Sequence, residues 1–212
     1  MSRAAGKERR KQQVLDAAEA AIRQAGTVDF SMRDLAKNAD VSFATPFNLF
    51  GKKEDILAAL FHRRVTAQAE RRKAESRTHG GLENLLQIAT ETCTGYLADA
   101  ELFKPLAQAF RTQRTPQLEA ISSDAQHIWR TALENCLADK VLHPDTLLDS
   151  LARRLHISFR VAFLMWATNE LPDKEFEQQV LFNLVGNLLA HTTPKGRKSL
   201  LGLIENDGRF LP

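Results

Sequence analysis

The sequence predicts an all-α protein, with a three-helix unit of helix-turn-helix type at the N-terminus and a larger helical body after it. Three observations predict this. Apolar residues recur with a period of about 3.6 along almost the whole chain, and no segment alternates as a strand would. Two short helical segments flank the tight connection Ala39-Asp40-Val41-Ser42. The last two strongly apolar segments carry apolar residues on more than one face, so each must be covered on two sides.

The elements follow in order. Val14, Ala18, Ala21, Ile22 and Ala25 recur at helical spacing, and Gly26 can end that helix. Ser31 and Asp34 form an acidic capping box that opens a short helix over about 32–38. A second short helix ends at Gly51, and Lys53 opens the next, with Ile56, Leu57, Leu60, Phe61 and Val65 on one face. Gly80 and Gly81 break the chain. Leu82, Leu85, Leu86, Ala89, Cys93 and Tyr96 then share a stripe, followed by a shorter element with Phe103, Leu106 and Phe110. Pro116 opens a helix carrying Leu118, Ile121, Ile128 and Cys136. Pro144 and Asp145 start the first over-wide segment, with Leu151, Leu155, Phe159, Phe163 and Trp166 on one side and Ile157, Val161 and Met165 on the other. The second begins near Pro172 and runs through Phe176, Val180, Leu184, Leu188 and Leu189. Gly186 in its middle suggests close approach of another helix. The segment 196–212 reads as a loose tail.

Composition narrows the function classes. No stretch approaches 18 consecutive apolar residues, so no membrane-spanning helix is expected. The N-terminus is basic but lacks the apolar run of a signal peptide, which makes the cytoplasm the expected location. Cys93 and Cys136 lie in apolar helical patterns and read as buried free thiols, a disulfide being the lesser alternative. The net charge of +3 is unremarkable, but Arg3, Lys7, Arg9, Arg10 and Lys11 cluster at the N-terminus and Arg63, Arg64, Arg71, Arg72 and Lys73 further on. Such groups either attract phosphates or are solvated faces. None of the six histidines pairs with another histidine or a cysteine at metal-ligand spacing. No phosphate loop, nucleophile elbow or paired-carboxylate motif is present. Neither a cofactor nor a metal is expected, and nothing calls for an enzyme.

In a helix-turn-helix the second helix presents its N-terminal residues to base edges in the major groove of DNA. Leu35, Ala36, Val41, Leu49 and Phe50 would then be interior, leaving Ser42, Phe43, Ala44, Thr45, Phe47 and Asn48 to face DNA. Pro46 fits in either of two ways. With Ser42 as cap it is the fourth helical residue and removes the first intrahelical bond. With Thr45 as cap it is the first, where proline is favoured. Asn48 can pair with adenine, Thr45 can touch a thymine methyl, and Phe43 can meet base methyls or sugars.

Val14, Leu15, Ala17, Ala18 and Gly26, then Ser31-Met32-Arg33-Asp34-Leu35-Ala36, then Ala39-Asp40-Val41-Ser42, and finally Thr45, Phe47, Phe50, Lys53, Glu54, Ile56 and Leu57 form an ordered set. In this set, over about residues 8–60, the chain resembles the TetR family of bacterial transcriptional regulators. The resemblance implies phosphate contacts from Ser31, Arg33, Thr45 and Lys53. It also implies a ligand cavity in the helical body, for which Tyr96, Phe103, Phe110, Trp129, His156, Phe163 and Trp166 are the candidate lining. Plain core packing is the competing reading of each. The departures are local. Phe47 lacks the hydroxyl usual there, Ala44 and Asp40 replace glycines, and Lys52 replaces a capping serine while adding a cation near phosphates. Asp40 should keep the turn, because aspartate tolerates left-handed backbone.

The expected organisation is a DNA-binding domain over 1–55, a ligand-binding and dimerisation domain over 56–195, and the tail. The expected function is a repressor that binds a palindromic operator in double-stranded DNA as a homodimer through the last two helices and is released by a small apolar or aromatic effector. Two other readings stand beside it: the same fold acting on DNA without a ligand, and an all-helical enzyme or carrier.

Overall fold

The computed structural model describes residues 2–75, 80–111 and 115–206. Among them are the helices α1 (Arg3–Ala25), α2 (Met32–Asn38), α3 (Ala44–Phe50), α4 (Lys53–Glu75), α5 (Gly81–Leu97), α6 (Ala100–Ala109), α7 (Pro116–Ala138), α8 (Leu148–Ala167), α9 (Asp173–Leu189) and α10 (Pro194–Asn206). The only extended pairing among these residues is an isolated antiparallel bridge between Leu142 and Thr192. No described helix is long and apolar enough to cross a membrane.

The chain folds as two compact units, one within Met1–Glu70 and Asp99–Glu119, the other within Arg71–Ala98 and Ala120–Pro212. The first unit is larger than the domain expected over 1–55. Its core joins Val14, Ala18 and Ile22 of α1 to Leu35 and Ala36 of α2 and to Ile56, Leu57 and Leu60 of α4, all essentially buried. The basic N-terminal arm is the first part of α1, whose cap is Ser2, with its Oγ accepting from the Ala5 N–H.

α6 belongs to this unit because of rings and charges distant in sequence. Phe61 meets Phe103 and Phe110 edge-on, at centroid distances of 5.9 and 5.6 Å. The Asp99 carboxylate, just before α6, accepts from Arg23 (2.6 Å) and Arg64 (2.6 Å). Burial alone would raise the Asp99 carboxyl, but the bonds from Arg23 and Arg64 outweigh it and hold it below its ordinary value. Arg63 pairs with Asp16 and Glu19. The Arg63 and Arg64 charges, expected as part of a basic cluster, are therefore taken up within the protein. The side chains of Arg72 and Lys73, from the same cluster, lie outside the described residues.

In the second unit α8 packs most extensively on α9, and α9 on α5. Cys93 and Cys136 are both buried and free. Burial, reinforced by Glu177, pushes the Cys93 thiol far up; burial, reinforced by Asp139, pushes Cys136 up to about 12. Both are unreactive packing residues.

The expected loose tail is not what residues 196–206 form. They continue α10, and Leu200 is fully buried. Residues 207–212 lie outside the described part. Thr193 starts this helix: its Oγ1 accepts from the Gly196 N–H (3.0 Å) and donates to the Lys140 carbonyl (2.7 Å). Pro194 follows at the first helical position, where its missing N–H costs nothing. Gly196 lies directly against Val141, where any Cβ would strike the Val141 carbonyl. Replacing Gly196 with alanine should therefore lower stability by about 1–3 kcal/mol, measured by urea unfolding. An unchanged midpoint would mean that α10 is not anchored there.

Candidate functional site

Local chemistry builds the turn between α2 and α3. Ser31 caps α2, its Oγ accepting from the Asp34 N–H (3.0 Å) and donating to the Asp34 carboxylate (2.6 Å). Asp40 adopts the left-handed conformation with φ of 52°, so aspartate serves where glycine is common. The Val41 N–H donates back to the Ala36 carbonyl (3.1 Å) and closes the turn.

Pro46 is resolved differently from either expectation. Phe43 is the cap residue of α3, without a side-chain capping bond, so Pro46 is the third helical residue. That position has no intrahelical N–H partner in any helix, and the proline costs no hydrogen bond. The ring is buried, fixing the start of α3 to the unit beneath it. The Ser42 and Thr45 hydroxyls share a 2.8 Å hydrogen bond, and the Thr45 N–H donates to the Ser42 carbonyl (2.9 Å). Gly51 ends α3 at φ of 94°, a conformation that favours glycine. α4 begins at Lys53, and the Lys52 N–H donates to the Asp55 carboxylate (3.3 Å). Asp55 thus supplies a cap interaction that Lys52 cannot.

The expected interior is only partly closed. Leu35 and Ala36 are buried, whereas Val41, Leu49 and Phe50 are half-buried. Ser31, Arg33, Ser42, Ala44, Asn48 and Lys52 are exposed, and Thr45 and Lys53 are half-buried. Phe43 and Phe47 are 56% and 42% exposed. They meet edge-on at 5.4 Å, and the Arg33 guanidinium lies 6.0 Å from the Phe43 centroid. Lys53 is held 4.7 Å over the Phe30 ring. Phe30 was missed as a platform for that cation. Its signal was an aromatic immediately before the α2 cap. The surface thus pairs an apolar centre with two cations fixed on rings.

The ligand candidates divide between the units. Phe103 and Phe110 pack in the first unit against Phe61. Tyr96, Trp129, His156, Phe163 and Trp166 lie in the second. There Tyr96 contacts Phe163 at 4.6 Å, and Trp166 stacks on Phe176 at 5.0 Å. Phe159, expected on the apolar stripe of this helix but not among the ligand candidates, lies near Tyr96, Trp129, Phe163 and Phe176. Its signal was its spacing, three residues after His156 and four before Phe163 on one helix. The Trp166 indole donates to Asp173 (2.8 Å). His156 is buried; its Nε2 shares a 2.7 Å hydrogen bond with Ser122, while its Nδ1 has no partner among the described residues. Burial, then the nearby Arg160 charge, pushes its pKa down to about 4, so the ring is neutral at pH 7. No group of described side chains could hold a metal ion.

Residues 14–60 match the family model described as bacterial regulatory proteins, tetR family. No curated protein matches the chain. Several solved structures share its fold. One is SmeT, the repressor of the Stenotrophomonas maltophilia multidrug efflux pump SmeDEF, at 18% identity and a TM-score of 0.59, covering 87% of this chain and 91% of that one. Another is Thermus thermophilus FadR, a TetR-family transcriptional repressor in complex with lauroyl-CoA, at 21% identity and a TM-score of 0.68, covering 87% and 97%. A third is CprB from Streptomyces coelicolor in complex with its operator sequence, at 16% identity and a TM-score of 0.57, covering 93% and 95%. The family model matches across the helix-turn-helix, and the shared fold extends over most of the chain. Over residues 14–60 the chain is thus similar to the tetR family of bacterial regulatory proteins, and it shares the fold of TetR-family structures over most of its length.

Proposed function

We infer that this protein is a DNA-binding transcriptional regulator, a homodimeric repressor that leaves a palindromic operator in cytoplasmic DNA when a small apolar or aromatic ligand binds its second unit. The observation that carries the reading is the start of α3, where Phe43, Ala44, Phe47 and Asn48 stand exposed beside Arg33 and Lys53. In this reading Ser31, Arg33, Thr45, Lys52 and Lys53 position the protein on phosphates, and the α3 residues read bases.

The dimer is supported by an uncovered apolar face. Ile157, Val161 and Met165 recur one turn apart on α8, exposed by 51%, 52% and 38%, and Phe182 of α9 is 66% exposed. Soluble chains rarely leave such a stripe open. Gly186 of α9 meets nothing within 4 Å, so the close approach it suggests would come from a second copy. These are the two helices expected to dimerise, although α10 follows them. The ligand is supported by the unpaired His156 Nδ1 beside a cluster of rings, which suits a molecule with one polar group. The close stacking of Trp166 on Phe176 favours the second reading, in which the same fold acts without a ligand.

Selection of bound sites from random duplexes by the purified protein tests the reading. A palindrome should be enriched, with affinity falling steeply as salt rises. Binding without sequence preference would reject it. Thermal shifts with a panel of apolar compounds then separate the ligand-responsive form from the ligand-free one.

A further inference from the structure

Phe43 occupies the position from which a recognition helix meets base edges, yet its side chain has no hydrogen-bonding group. Among major-groove features, only the thymine methyl is an apolar group. More than half of the Phe43 surface is open to solvent. Its placement is fixed by two neighbours: Phe47 meets it edge-on at 5.4 Å, and Arg33 lies 6.0 Å from its centroid. The cation beside the ring places a phosphate-seeking group next to an apolar surface. DNA offers that pairing where a thymine methyl lies in the groove near its backbone.

We propose that Phe43 is a specificity-determining residue that reads a thymine methyl in each half-site, with Phe47 and Arg33 as the positioning residues that hold its ring. This rests on the DNA-reading function proposed above for the α3 surface. The Asn48 amide reads through hydrogen bonds and is indifferent to that methyl, whereas the Thr45 methyl can also meet it, so the comparison of wild type with Phe43→Ala is what isolates Phe43.

The test uses the full-length protein and the selected palindrome, with every thymine of both half-sites replaced by deoxyuridine. That change deletes methyls and leaves all base-pair hydrogen bonds intact. Loss of one methyl contact per half-site should weaken binding about four-fold each, the transfer free energy of a methyl-sized group, or roughly fifteen-fold for the two together. Phe43→Ala should bind the thymine and deoxyuridine duplexes alike, near the wild-type affinity for deoxyuridine. Phe43→Leu, which keeps apolar surface, should retain a preference for thymine. Circular dichroism of both variants confirms that the exposed position tolerates the change. Equal wild-type affinities for the two duplexes, with the palindrome still preferred, would overturn the methyl contact and leave the DNA-reading function standing. A thymine preference undiminished in Phe43→Ala would assign the methyl to another residue. Failure to enrich any palindrome would overturn both.

Discussion

Val161→Glu is expected to convert the proposed dimer into a folded monomer that no longer binds the proposed operator with high affinity. Val161 lies at the centre of the α8 stripe, flanked one turn away on either side by Ile157 and Met165. It is 52% exposed in the single chain, so a glutamate there stays hydrated in the monomer and leaves the fold intact. In a dimer the same carboxylate would enter an apolar interface without a partner, at a cost of about 3–5 kcal/mol. Each protomer contributes one, so the dissociation constant should rise by at least about a hundred-fold. Sedimentation velocity at micromolar concentration reads the change directly. Affinity for a half-site should survive, while the gain from linking two half-sites disappears. A variant that remains dimeric would place the interface elsewhere and leave the exposed α8 and α9 residues without an account.

That face was legible in the sequence because breadth of an apolar stripe is a local property. Ile157, Val161 and Met165 fall on the side of α8 opposite Phe163 and Trp166, and in the single chain they are left exposed rather than buried within a larger bundle. The turn between α2 and α3 was legible for the same reason. Ser31 with Asp34, Asp40 in the turn and Gly51 at the end of α3 each do what their side chains dictate within a few residues. Pro46 was readable as a first-turn residue but not to the exact register, because the cap is Phe43, a residue with no capping group.

What was not legible depends on distant partners. α6 joins the first unit through Asp99, whose partners Arg23 and Arg64 lie far away in sequence. The same pairing withdraws Arg64 from the basic cluster that charge counting had assigned to it. Phe103 and Phe110 have the composition of pocket residues, and their contact with Phe61, distant in sequence, could not be read from their own spacing. In the segment read as a tail, glycine and lysine looked like disorder. Gly196 is instead required by the approach of Val141, and nothing near Gly196 in sequence reports that contact. Thr193-Pro194 was the readable signal there, a cap followed by a helix-starting proline.

His156 should make stability depend on pH in a window that its burial defines. Its pKa falls from an ordinary 6.5 to about 4 in the folded protein, chiefly by desolvation and then by the charge of Arg160. Between those values the unfolded chain binds a proton that the folded chain does not, so stability falls as pH is lowered through the window. The contribution is fully present above pH 6.5 and lost once pH drops below about 4. A shift of that size corresponds to a change on the order of 3 kcal/mol. Carboxylates also titrate at the acid end, so the diagnostic quantity is the difference between the wild type and His156→Gln in urea unfolding from pH 7 to pH 4. The two curves should converge as pH falls, because glutamine keeps a hydrogen-bonding group near Ser122 but binds no proton. Parallel curves would show that the ring is already hydrated in the folded state. The neutral ring also leaves Nδ1 as a buried polar atom without a hydrogen-bond partner among the described residues. A ligand that hydrogen-bonds Nδ1 of the neutral ring should therefore bind the folded protein about equally from pH 7 down to the lower edge of the window, and weaken only as pH falls through about 4, because between 6.5 and 4 only the unfolded chain takes up the proton.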